Sequence, residues 1–95
     1  MGRTRYEKYG YIVFKARRGW VAYNTAKPFE EGHTHLSSLQ SAKDAIRFCL
    51  EQRVPLKAKV YYLISLQRLT KSEEYYNRLQ ARIEEVEANG RSSKP

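Results

Sequence analysis

The hydrophobic period changes once along this chain, and that change constrains the fold more than any other feature. Residues 9–24, YGYIVFKARRGWVAYN, alternate in polarity and are rich in aromatic and β-branched side chains. From about residue 39 onward, apolar residues recur every three to four positions. The first pattern suits a pleated sheet with a buried face, and the second suits amphipathic helices. Strands followed by helices, rather than interleaved with them, predict an α+β fold: a small antiparallel sheet packed against three C-terminal helices. A chain of 95 residues is one domain, expected over 1–90, with 91–95 as a disordered tail.

The alternating segment predicts a hairpin, with strands over 9–15 and 20–24. Between them ARRG supplies a short loop in which Gly19 can take the positive φ such turns need. Alternation sets Tyr9, Tyr11, Val13 and Lys15 on one face and Ile12 and Phe14 on the other. The Ile12/Phe14 face is the one expected to meet the core. A connector of a dozen or so residues follows, punctuated by Pro28 and Gly32. Within it HTHL is a possible short third strand, with Thr34 and Leu36 on one face and both histidines on the other.

Three helices are expected after the connector. Ser41 with Asp44 reads as a capping box, and Leu39, Ala42, Ala45, Ile46, Cys49 and Leu50 form one apolar stripe that leaves out Phe48. This helix is expected to stop near Val54, because Pro55 pushes the residue before it out of helical geometry. Residues 56–69 read as a second helix starting beside Pro55, with Lys57, Tyr61, Ser65 and Arg68 as its narrow polar stripe; a buried central strand is the alternative. The third helix opens on Thr70 or Ser72, carries Tyr75, Tyr76, Leu79, Ile83 and Val86 on its apolar stripe, and is expected to end at an Asn89–Gly90 cap.

Charge points toward partners. Net charge is +8, and the first 20 residues hold six cations against the single acid Glu7. Residues 53–71 add five cations and no acid, whereas residues 72–89 carry five glutamates against Arg78 and Arg82. A basic balance of this kind suits polyanions. In RTRYEKYGYIVFKARRGW the cations are interleaved with Tyr6, Tyr9, Tyr11 and Trp20. Cations hold phosphates while aromatic faces stack bases. The candidate nucleic-acid contacts are therefore Arg3, Arg5, Lys8, Lys15, Arg17, Arg18 and Trp20, joined by Lys57 and Lys59 of the second helix. The partner expected is DNA or RNA. The alternative is a protein partner on the helical face, with homo-oligomers possible because the two ends differ in sign.

Catalytic equipment is sparse in the sequence. His33 and His35 stand two apart, but a zinc set needs three or four ligands, and the hydrolase pattern that opens His-x-His continues with an aspartate where this chain has Ser37. Cys49 falls on an apolar stripe, which predicts a packing role. No Gly-x-Ser-x-Gly elbow and no phosphate-cradling loop occurs. The reading is a non-enzymatic protein with no metal and no cofactor. No apolar run reaches the roughly 18 residues of a membrane span. The lone cysteine suits a reducing cytoplasm.

Overall fold

A computed structural model describes residues 3–92. Its order is β1 (Thr4–Lys8), β2 (Tyr11–Lys15), β3 (Trp20–Asn24), α1 (Phe29–Gly32), β4 (His33–Leu36), α2 (Leu39–Glu51), α3 (Val60–Leu69) and α4 (Glu73–Ser92). The four strands form one antiparallel sheet in the order β1-β2-β3-β4. Helices α2 and α3 cover one face of it, and α4 lies against α3. The α+β class expected from the period change is the one found. Among the described residues no helix is long and apolar enough to cross a membrane.

The hairpin over β2 and β3 forms in the register that alternation implies, with Val13 opposite Ala22 and Lys15 opposite Trp20. Its buried face, however, is the reverse of the expected one. Val13 and Tyr11 point into the core with Ala22 and Leu36, while Ile12 stays half-exposed. Phe14 is buried too, but on the opposite face, beneath Phe29 of α1 (ring centroids 6.3 Å apart). Both faces of β2 are thus covered, one by helices and one by a single helical turn. Alternation alone cannot say which cover is the deeper.

Strand β1 is the element the composition conceals. Thr4–Lys8 is polar on most positions, and it pairs with β2 through a two-residue turn at Tyr9–Gly10 rather than extending the hairpin. Tyr9 (φ 50) and Gly10 (φ 87) both take positive φ, the geometry of a type I′ turn. Tyr9 therefore belongs to a turn and not to the strand expected over 9–15. The connector likewise holds one turn of helix, α1, before β4. There Thr34 and Leu36 turn inward and the histidines outward, as the spacing implies.

Helix α2 starts earlier than the Ser41 cap implies. Ser38 is the N-cap, its Oγ accepting from the Ser41 backbone N–H at 3.0 Å, and the extra turn lets Leu39 pack on the core. The helix ends at Glu51, ahead of Val54, in a Schellman motif. Gln52 is left-handed (φ 53), Arg53 N–H donates to Phe48 O and Gln52 N–H to Cys49 O.

Helix α3 is a helix and not a strand, but it begins at Val60, so residues 56–59 of the expected span are irregular. Carbonyls of the segment between α2 and α3 are claimed from α4 instead: Tyr75 Oη donates to Arg53 O and Arg82 to Leu56 O. The expected polar stripe is also revised. Ser65 is buried and its Oγ accepts from Thr34 Oγ1 at 2.6 Å, whereas Ile64 is exposed. Asn24 of β3 closes the other end of α3, its Nδ2 donating to Leu69 O at 2.8 Å.

Helix α4 opens at Ser72, whose Oγ accepts from Tyr75 N–H, and buries Tyr75, Leu79 and Ile83. It runs through Asn89 and Gly90 to Ser92, so no cap forms there and the tail expected from residue 91 begins as helix; residues 93–95 lie outside the described residues.

Candidate nucleic-acid interface

The β2–β3 loop is built by Gly19. It holds φ +86, and its carbonyl accepts from Ala16 N–H at 3.0 Å. A Cβ on Gly19 would lie 2.6 Å from the Leu36 carbonyl oxygen. That close approach seats the tip against the end of β4, beside Ser37 and the Ser38 cap. The positive end of the α2 dipole is therefore near the tip. Arg17 and Arg18 are exposed on the loop.

Trp20 is the aromatic at this end of the sheet. It is half-buried, with Lys15 Nζ 5.6 Å and Arg5 Cζ 5.8 Å from its ring centroid, a cation–π arrangement from two sides of the chain. Lys15 also donates to the carbonyls of Ala16 and Gly19, which ties its ammonium to the loop. Arg5 reaches Trp20 because the β1–β2 register shifts between Thr4 and Tyr6, a bulge that re-aims the side chain. Arg3 is exposed just before β1.

The structure thus draws Arg5, Lys15 and Trp20 into one cluster, with Arg17 and Arg18 on the same loop. It places the other candidates elsewhere. Lys8 is at the far end of β1, opposite Tyr11. Lys57 and Lys59 are exposed in the irregular linker before α3, and no hydrogen bond or ring contact ties them to the hairpin. Tyr11 is buried in the core and offers no ring face. Lys43 of α2 joins the cluster unexpectedly: its Nζ lies 5.0 Å from the Tyr6 ring centroid, and Tyr6 shares its sheet face with Trp20. Lys43 follows Leu39 by four residues, so the helical wheel puts it beside the stripe; only the packing of α2 on the sheet tells that it faces an aromatic.

None of these cations is neutralised locally. The three ion pairs among the described residues are Arg47–Asp44, Arg53–Glu51 and Arg82–Glu85, all outside the hairpin. Glu7, the acid of β1, pairs with Ile12 and so points to the opposite sheet face.

That opposite face carries a different group. Phe29 stacks on His33 at 4.1 Å and meets Tyr23 edge-on at 5.1 Å, and His35 lies 5.3 Å from His33. His33 Nδ1 is hydrogen-bonded to Phe29 O. His33 thus ties α1 to the sheet. No group of three or more His, Cys, Asp or Glu converges among the described residues. Cys49 is buried and its thiol is pushed up to about 12 by burial, which keeps it protonated and unreactive.

No protein-family profile, curated protein sequence or solved structure matches the chain. Any functional reading therefore stands on the site itself.

Proposed function

We propose that this chain is a small non-enzymatic accessory protein that binds nucleic acid through the β2–β3 tip, with Arg3, Arg5, Lys15, Arg17, Arg18 and Trp20 as the contact set. The observation that carries the reading is the cluster of cations around one indole ring with no acid paired to any of them. Folding gathers like charges at a cost in repulsion, and a phosphate backbone relieves it. Lys43 extends the set, and Lys8, Lys57 and Lys59 contribute at longer range. A reducing cytoplasm is the compartment proposed, on the single cysteine.

Titration of labelled DNA and RNA over a salt series tests this. Affinity should fall linearly in log–log form with added salt, as counterions are released. A Lys15→Ala/Arg17→Ala/Arg18→Ala variant should bind far more weakly. Parental binding by that variant refutes the tip assignment, and absence of binding at low salt refutes the class.

A second reading has its own support. Tyr61, Ile64 and Tyr76 are exposed, and Ile64 and Tyr76 line one open groove with Lys27, Glu30 and Glu31. Aromatic residues on such a surface suit a protein partner. Recovery of one stoichiometric protein after nuclease treatment, lost in an Ile64→Glu/Tyr76→Ala variant, would place this reading first.

A further inference from the structure

We infer that Tyr9 is a base-stacking residue and that the nucleic acid bound is single-stranded, laid along β1 from the β2–β3 tip to the Tyr9–Gly10 turn. The inference rests on the nucleic-acid reading above and narrows it.

Tyr9 occupies the first position of a two-residue turn in which both central residues need positive φ. Asparagine, aspartate and glycine fill that position comfortably; a tyrosine there is strained. The fold gains nothing visible in return. The ring is 82% exposed, and no hydrogen bond or ring contact involves it. The turn beneath it is nonetheless fixed. Thr25 donates to Gly10 O twice, from Oγ1 at 2.7 Å and from its backbone N–H at 2.9 Å. A large ring is therefore held out into solvent on a rigid stalk, in a conformation that another residue would adopt more easily. Strain maintained on a fixed, exposed aromatic is what a contact residue looks like.

Its position makes it a second anchor for the same ligand. Lys8 precedes it, and β1 leads back to Arg5 and the Trp20 cluster over roughly 13 Å at 3.2–3.4 Å per residue. A backbone following β1 meets cations at both ends and an aromatic at both ends. A duplex keeps its bases stacked within it and offers an isolated ring nothing to stack on. An unpaired strand offers a π-face at every nucleotide.

The test measures stability and binding on the same variants. Tyr9→Gly should raise the melting temperature by a few degrees, because it relieves the turn. It should weaken binding to oligothymidylate and oligouridylate of about a dozen nucleotides roughly tenfold, since stacking on one aromatic carries that much. Tyr9→Phe should keep parental binding. A duplex of equal length should bind more weakly than either single strand and be indifferent to Tyr9→Gly. The ratio of the two single-strand affinities tells DNA from RNA. If Tyr9→Gly binds single strands as tightly as the parent while the Lys15/Arg17/Arg18 triple variant loses them, the Tyr9 inference fails and the tip reading stands. If the triple variant also binds normally, the tip reading fails first. Equal losses on duplex and single strand, or a loss in Tyr9→Phe matching that in Tyr9→Gly, overturn stacking.

Discussion

Replacing Gly19 with alanine should be among the most damaging single methyl additions this chain can suffer. Two terms add. The residue sits at φ +86, where an L-alanine costs about 1–2 kcal/mol. The new Cβ would also stand 2.6 Å from Leu36 O, against the 3.4 Å at which ordinary contact begins, so about 0.8 Å must be recovered. Neither side gives easily. Leu36 is paired with Trp20 across the sheet, and Ser38, two residues on, caps α2. Forced overlap of this kind costs about 1–3 kcal/mol. The sum is about 3 kcal/mol, or some 12–24 °C in melting temperature for a domain of this size. Gly10→Ala is the control. Gly10 has the same φ (+87), but its nearest neighbour would be Thr25 Oγ1 at an ordinary 3.7 Å, so only the conformational term applies. Urea unfolding read by fluorescence suits both, since Trp20 is the only tryptophan and adjoins Gly19. If Gly19→Ala costs no more than Gly10→Ala, the tip does not press on Leu36 and the account of how the loop is seated is wrong.

Two further outcomes follow from the interior. Thr34→Val removes the donor to the buried Ser65 hydroxyl and should cost about 1–2 kcal/mol, whereas adding Ser65→Ala should give a smaller total than the two single losses together; strict additivity in the double-mutant cycle would show that the bond is not coupled. Burial pushes Tyr11 and Tyr62 up to about 12 from 10, Cys49 up to about 12 from 9, and Tyr75 up as well. Each folded value exceeds the unfolded one, so above pH 9–10 the unfolded chain releases protons that the folded chain retains. Stability contributed by these groups should be whole below pH 9 and decline between pH 9 and 12. Denaturant midpoints that stay level from pH 9 to 11.5 would contradict it.

The fold was legible where one physical effect dominated, and illegible where two competed. The period change disclosed the class, and HTHL disclosed β4, because in each a single periodicity covers the whole element. Strand β1 was hidden because a sheet edge needs few apolar residues: Tyr6 alone packs on the core, and the turn that makes it a strand is closed by Tyr9 rather than asparagine. The buried face of β2 is not legible from alternation because Phe14 is covered too, by a helical turn invisible in the connector. Helix α3 lost its first turn to tertiary competition, since Tyr75 and Arg82 capture carbonyls upstream of it. The site shows the same division. The hairpin cations were readable as a run, but Lys43 and the approach of Arg5 to Trp20 depend on packing and on a bulge.

The cations of β1 have a structural role that must be separated from a binding role. β1 is an edge strand, and charged side chains with a bulge are how edges avoid pairing with other chains. The opposite edge, β4, is protected differently: it is four residues long, and Arg68 Nε donates to the His33 carbonyl. Edge protection is indifferent to sign, because a glutamate in the strand resists a pairing partner as well as an arginine does. Yet Arg3, Arg5 and Lys8 share one sign, and Glu7 is turned to the other face. The surplus is therefore in the sign and not in the charge. Under the proposed function, Arg3→Glu/Arg5→Glu/Lys8→Glu should keep the parent's state of association by light scattering, yet weaken nucleic-acid binding by at least tenfold at low salt, since three attractive charges become repulsive toward phosphate. Arg3→Thr/Arg5→Thr/Lys8→Thr should instead self-associate as its concentration rises. A charge-reversed protein that binds as the parent does would leave these residues as guardians of an edge and nothing more.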